Sequence, residues 1–167
     1  DTDRSRGLGD VYKRQVMGEK AQNTTEARKM LEQTIQEGSA LERFAAMIEA
    51  QGGDPAVVDN YQLMPQAKYK IPFKADRDGV LTKLSADEVG TASMLLGGGR
   101  QKADDTLDYS VGSELHHKLG DHVKDGEPIL TIYSNRQEIP DVEQLLKESI
   151  KISDDGKVPT LIHEIIE

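Results

Sequence analysis

The apolar positions along the chain change period near Pro65, from helical spacing before it to alternation after it. Asn23 with Glu26 three residues on is a capping-box pair, and Ala27, Met30, Leu31 and Ile35 share one helical face until Gly38. Ser39 with Glu42 repeats that spacing, and Leu41, Phe44, Ala45 and Ile48 form a second stripe that Gly52 and Gly53 end. Asp54-Pro55 reads as a cap with proline at the first helical position, opening a short turn through Val57 and Val58. The result is a helical hairpin too small to bury both its faces, so part of its packing partner is expected to lie outside this chain.

Beyond Pro65, Tyr69, Ile71 and Phe73 alternate with polar residues, and Asp78-Gly79 is a turn before Val80, Leu81 and Leu84. Ser85 with Glu88 is a third capping-box pair, opening a helix through Val89, Ala92, Leu95 and Leu96. Alternation returns at Leu107, Tyr109 and Val111, at Leu115 and His117 with Val123, and from Ile129 to Tyr133. Pro140 and Asp141 begin a last helix carrying Val142, Leu145, Leu146 and Ile150, and Leu161 to Ile166 reads as a closing strand. Strands and helices without strict alternation predict an α+β fold with a mainly antiparallel sheet and flanking helices, preceded by the helical hairpin.

Composition narrows the function. The 167 residues, 36% of them hydrophobic, suffice for one ordinary core with a small appendage. Thirty acidic against 21 basic residues give a formal charge of -9 and disfavour capture of nucleic acid or an anionic membrane. No cysteine is present, which excludes disulfides, thiolate metal sites and a cysteine nucleophile and fits a reducing, cytoplasmic setting. The first fifteen residues, DTDRSRGLGDVYKRQ, carry charge without periodicity and read as a non-native or disordered leader, so that the natural protein would begin upstream.

One motif invites a chemical reading. Gly97, Gly98 and Gly99 precede Arg100 and Lys102, in the manner of a phosphate-cradling loop. Such a loop works at the start of a helix, where free N–H groups and the positive dipole end face the anion. These glycines follow a helix instead, lack the Gly-Lys-Ser/Thr ending of a P-loop, and lead into predicted strand. Asp104, Asp105 and Asp108 further offset the nearby cations, so the local reading is a helix C-cap running into a loop.

In its longer context, GGGRQKADDTLDYSVG, with DEVGTASMLLGGGR before it and LGDHVKDGEPILTIYSN after it, resembles the C-terminal region of the pyrimidine nucleoside and thymidine phosphorylases. The resemblance extends back through EGSALERFAAMIEAQGGD and forward to LIHEIIE, from about Glu26 to the end. It implies a homodimeric pentosyltransferase that uses inorganic phosphate as co-substrate to cleave pyrimidine nucleosides. It implies a C-terminal domain at 66–167 built around a hammerhead-like barrel, with 16–65 continuing from a preceding catalytic domain. In the family that domain carries the phosphate loop, the pyrimidine-binding residues and a monovalent-cation site. None of those motifs occurs here, so no catalytic, cofactor or metal residue is carried over. The segment Gly97, Gly98, Gly99 and Arg100 would be a loop facing the cleft and ordering as the domains close.

Two other readings compete. Gly120 to Arg136 is similar to half of a biotinyl or lipoyl carrier domain, with Arg136 at the hairpin tip where a carrier needs lysine; a guanidinium is no nucleophile for acyl transfer. A free-standing interaction domain would also account for an uncovered helical hairpin. A metal site fails on spacing: His116 and His117 would point to opposite faces of a strand, His122 stands apart, and DRDG at Asp76 to Gly79 lacks the remaining ligands of a calcium loop.

Overall fold

The computed structural model describes residues 11–157, which form two compact units, 11–63 and 64–157. The first is helical throughout. Helix α1 spans Val11–Met17, α2 Thr24–Gln36 and α3 Ser39–Ala50, followed by single turns at Pro55–Val58 and Tyr61–Leu63. Helix α1 overlaps the stretch read as a leader without periodicity, so its last five residues have regular structure after all.

Local chemistry accounts for the helix boundaries. The Asn23 side chain accepts from the Glu26 amide at 2.9 Å, and the Glu26 carboxylate accepts from the Gln22 amide at 2.8 Å. Asp54 caps its turn by accepting from the Ala56 amide at 2.9 Å. The Ser39/Glu42 box does not form: the cap position belongs to Gly38, at φ 85°, and the Ser39 hydroxyl turns back to the Thr34 carbonyl and the Glu37 carboxylate. Only Ala21 and Ala27 are buried among the described residues of this unit.

The second unit holds the hydrophobic core. Its elements are β1 (Tyr69–Lys74), β2 (Gly79–Leu84), α4 (Ala86–Ser93), β3 (Gly112–Leu115), β4 (His122–Val123), β5 (Pro128–Ser134), α5 (Pro140–Ser149) and β6 (Ile150–Ser153). Two antiparallel three-stranded sheets result, in the orders β1-β5-β3 and β4-β2-β6. Strand β5 is central and buried at Ile129, Leu130 and Ile132, which pack with Leu81, Ile139 and the Val142 and Leu146 face of α5. Burying each such side chain fully contributes about 1.5–3 kcal/mol. Helix α5 starts with Pro140, has Asp141 and Glu143 in its first turn and Lys147 in its last, so the charges oppose the helix dipole at both ends.

Several predicted elements shift. The run Leu107, Tyr109, Val111 is turn and loop rather than strand, because the Asp108 side chain binds the Ser110 amide and hydroxyl and bends the chain before β3 begins at Gly112. Strand β3 ends at Leu115 before His117: the amides of His116 and His117 both reach the Ile129 carbonyl, which breaks the ladder. Ile150, expected at the end of the last helix, instead starts β6 with extended φ/ψ and pairs with Leu84. The Ser85 side chain makes no helix cap; its hydroxyl donates to Asp87. The closing strand expected at Leu161 to Ile166 lies outside the described residues.

Candidate functional site

The glycine segment sits at the end of a helix, as its sequence order requires. Helix α4 runs on into a wider turn, Met94–Gly98, and is broken by Gly97 at φ 106°, ψ 1°. That conformation costs an L side chain roughly 1–2 kcal/mol, so glycine is needed for the exit direction. Gly99 meets a second demand, because a Cβ there would lie 3.0 Å from the Met94 Cβ.

The stem of the loop is fastened at three points. The Asp108 amide donates to the Gly97 carbonyl at 2.9 Å, which closes the stem backbone to backbone. One Asp108 oxygen accepts from the Ser110 amide and hydroxyl at 3.0 and 2.6 Å; the other accepts from the Asn135 side-chain amide at 2.7 Å. Asn135 also donates to the Ser110 hydroxyl, and its carbonyl oxygen accepts from the Lys68 amide at 3.0 Å. Hydrogen bonds from the Ser110 hydroxyl, the Ser110 amide and Asn135 hold the Asp108 carboxyl below its ordinary range.

Arg136 supplies the third fastening. Its guanidinium donates to the Leu95 carbonyl at 3.3 Å and to the Asp141 carboxylate at 3.2 Å, joining the end of α4 to the first turn of α5. It lies in the link from β5 to α5 and not at a hairpin tip, so the alignment with a carrier-domain tip is corrected: this side chain is a structural clamp.

The loop's own backbone already has an anionic occupant. Gln101 and Lys102 direct consecutive amides at one Asp105 oxygen, at 2.9 and 2.8 Å. A phosphate cradle would use such convergent N–H groups, and here a carboxylate three to four residues on uses them instead. Arg100 is exposed and makes no ion pair among the described residues, so its charge is free to act on whatever faces the loop.

The histidines do not converge. His116 pairs with the Thr131 hydroxyl at 2.7 Å, His117 faces Glu127 at 3.3 Å, and His122 is exposed on β4. Among the described residues no three His, Asp or Glu side chains are placed to hold a metal. In the DRDG turn, Asp78 accepts from the Asp125 amide and Arg77 pairs with Asp154.

A cavity of about 420 Å³ opens beside β1, β5, α5 and β6, floored by isoleucines. Lys74, Arg77, Lys147 and Lys151 line it together with the acidic Asp76 and Glu143, so its rim is mixed in charge with an excess of cations. No described helix is long and apolar enough to cross a membrane. The fastenings of the loop, by contrast, were missed in the sequence except for Gly97 to Arg100; the Asp-x-Ser spacing of Asp108 and Ser110 was the available signal.

Residues 80–153 match the family model described as Pyrimidine nucleoside phosphorylase C-terminal domain. A protein of Staphylococcus haemolyticus (strain JCSC1435) named pyrimidine-nucleoside phosphorylase is 50% identical over 151 residues, covering 90% of this chain and 35% of that relative. Proteins of the same name from Staphylococcus epidermidis (strain ATCC 12228 / FDA PCI 1200) and Staphylococcus aureus (strain USA300) are 47% and 46% identical over the same shares. The chain therefore spans about a third of the length of the curated relatives it matches.

Proposed function

We propose, from the match of residues 80–153 to the pyrimidine nucleoside phosphorylase C-terminal domain family, that this chain is the C-terminal part of such an enzyme. The intact enzyme would transfer the pentose of a pyrimidine nucleoside to inorganic phosphate. The bond from C1′ to the base nitrogen breaks, a bond from C1′ to an oxygen of hydrogen phosphate forms, and the proton that the phosphate gives up ends on the base nitrogen. Charge builds at C1′ before phosphate arrives fully, so catalysis consists of alignment, neutralisation of anions and exclusion of water, which would otherwise hydrolyse the same centre.

The observation that carries the reading is 50% identity across 90% of the chain, including the stretch that holds the glycine loop. In this reading the stem fixed by Asp108, Asn135 and Arg136 is the rigid base, and Gly98 to Thr106 is the part that moves over the cleft. Arg100 then contributes a permanent positive charge beside phosphate held by the other domain. A homodimer, a cytoplasmic location, a monovalent cation bound elsewhere in the enzyme and a hammerhead-like barrel closing the two sheets complete the proposal.

The test joins this chain to the portion of the Staphylococcus haemolyticus relative that it does not match. Uridine and thymidine are supplied with and without phosphate. Phosphate-dependent release of base by the joined protein, none by the chain alone, and a raised KM for phosphate in Arg100→Ala are expected. A folded joined protein without turnover, or turnover by the chain alone, refutes the proposal.

A further inference from the structure

The cavity of about 420 Å³ lies wholly within the second unit, along the free edges of its two sheets. Among the described residues β1 pairs only with β5 and β6 only with β2. Four consecutive residues of β1, Ile71 to Lys74, line the cavity, and so do three of β6, Ile150 to Ile152. Successive residues of a strand point to opposite faces, so a cavity that meets every one of them meets the strand from its edge. Ile129 and Ile132 of β5, both buried, form the floor, and Glu143 and Lys147 of α5 stand at the rim.

The chemistry of this lining selects among occupants. A further strand is opposed on the β1 side: Pro72 keeps its place opposite Thr131 in the ladder with β5 and has no N–H to give, so its nitrogen belongs to the open edge. Arg77 is matched by Asp154, which does not line the cavity, and this leaves Lys74, Lys147 and Lys151 against Asp76 and Glu143. One positive charge is then in excess at the mouth, in a chain whose formal charge is -9. Lys74 and Lys147 enter no ion pair among the described residues. A small inorganic anion would leave the isoleucines wet, and a neutral apolar molecule would leave the lysines without a counter-charge. A molecule with an apolar chain and one negative headgroup satisfies both demands.

We propose that this cavity binds an anionic amphiphile, a medium-chain carboxylate, with its chain on Ile129, Ile132 and Ile150 and its headgroup facing Lys74 and Lys147. The volume is at the small end of the roughly 300–1,000 Å³ usual for ligand pockets, which suits a chain of about eight to ten carbons. The site is separate from the glycine loop, and its test does not depend on turnover.

The purified chain is titrated with hexanoate, octanoate and decanoate, each below its micelle concentration, and binding is read by calorimetry and by the methyl resonances of the isoleucines. Affinity should rise about threefold or more per added methylene. The shifts should centre on Ile71, Ile129, Ile132 and Ile150, and octanoate should bind more tightly than octanol or octylamine. Lys74→Gln combined with Lys147→Gln should weaken octanoate at least fivefold and change octanol little, with circular dichroism showing that the variant is folded. Equal binding of octanoate, octanol and octylamine overturns the proposal on the wild-type chain alone, as does an affinity that does not grow with chain length. Absence of binding, or binding only after removal of residues 158–167, overturns it too, since the chain's own end would in the second case be the occupant. Capture by anionic phospholipid vesicles without binding of single molecules does the same.

Discussion

Replacing Gly97 and Gly90 by alanine should change stability in opposite directions, although the two glycines are seven residues apart in one continuous run of helix and turn. At Gly97 a new Cβ has room, its nearest neighbour being the Asp108 Cβ at 3.7 Å, so sterics with the surroundings contribute little. The cost is conformational: φ 106° and ψ 1° lie outside the left-handed well that alanine tolerates, and the penalty is about 1–2 kcal/mol. At Gly90, inside α4, nothing lies within 4 Å of where an added Cβ would sit, and alanine should stabilise by about 0.5–1 kcal/mol. The difference between the variants is about 1.5–3 kcal/mol. With a urea slope of about 1–2 kcal/mol per molar for a unit of this size, the two midpoints should separate by roughly 0.8–3 M. Equilibrium urea unfolding followed by far-ultraviolet circular dichroism reads it. A Gly97→Ala midpoint equal to or above that of the wild type would refute the left-handed exit and the rigid stem built on it.

Leu146→Ala should cost about 2–5 kcal/mol, because the side chain is 1% exposed in the core of the second unit, and thermal unfolding should show a drop of more than about 8 °C. Arg136→Lys should lose the fork that spans Leu95 and Asp141; both charged side chains are nearly half exposed, so the cost stays below about 1 kcal/mol, and biotin or lipoate ligase should leave the new lysine unmodified, as intact mass would show. Asp108 stabilises the stem fully above its ordinary carboxylate pKa, and that contribution is lost as pH falls through its depressed folded value; the protection of the Ser110 amide, read as its exchange rate relative to an unstructured peptide at the same pH, should therefore fall on acidification in the wild type and lose this dependence in Asp108→Asn.

What could be read from the sequence was what neighbouring residues decide. The Asn23 and Glu26 cap, the Asp54 cap and the alternation in β1 all rest on contacts within a few residues or on a single half-buried face. The misreadings share another cause. Leu107, Tyr109 and Val111 alternate as a strand would; the local Asp108–Ser110 turn bends them, and Asn135, 27 residues from Asp108, holds that turn in place. Ile150 continues the apolar period of α5, and only its pairing with Leu84 on β2 draws it out of the helix. Likewise Arg136 looks like a tip residue until Leu95, 41 residues earlier, supplies the carbonyl it holds. The candidate site was legible as a glycine loop; of its fastenings only the local Asp108–Ser110 turn had a signal in the sequence, because those through Asn135 and Arg136 are long-range.

The anion question posed by the three glycines turns on Asp105. Its carboxylate takes the amides of Gln101 and Lys102, so phosphate approaching the free loop meets a negative charge where a cradle would offer donors. Inorganic phosphate would have to displace that carboxylate and be held by Arg100 at an exposed surface, where a single ion pair contributes less than about 1 kcal/mol. The free chain should therefore show no saturable phosphate binding: in a titration to 20 mM at constant ionic strength, the backbone amide shifts of Gly98 to Lys102 stay in place, roughly within the range set by a sulfate control. Asp105→Ala removes the competitor and should let those two amides move. Saturating shifts in the wild type at low millimolar phosphate would make the loop a phosphate site in its own right and would overturn the assignment of the glycines to chain direction and closure.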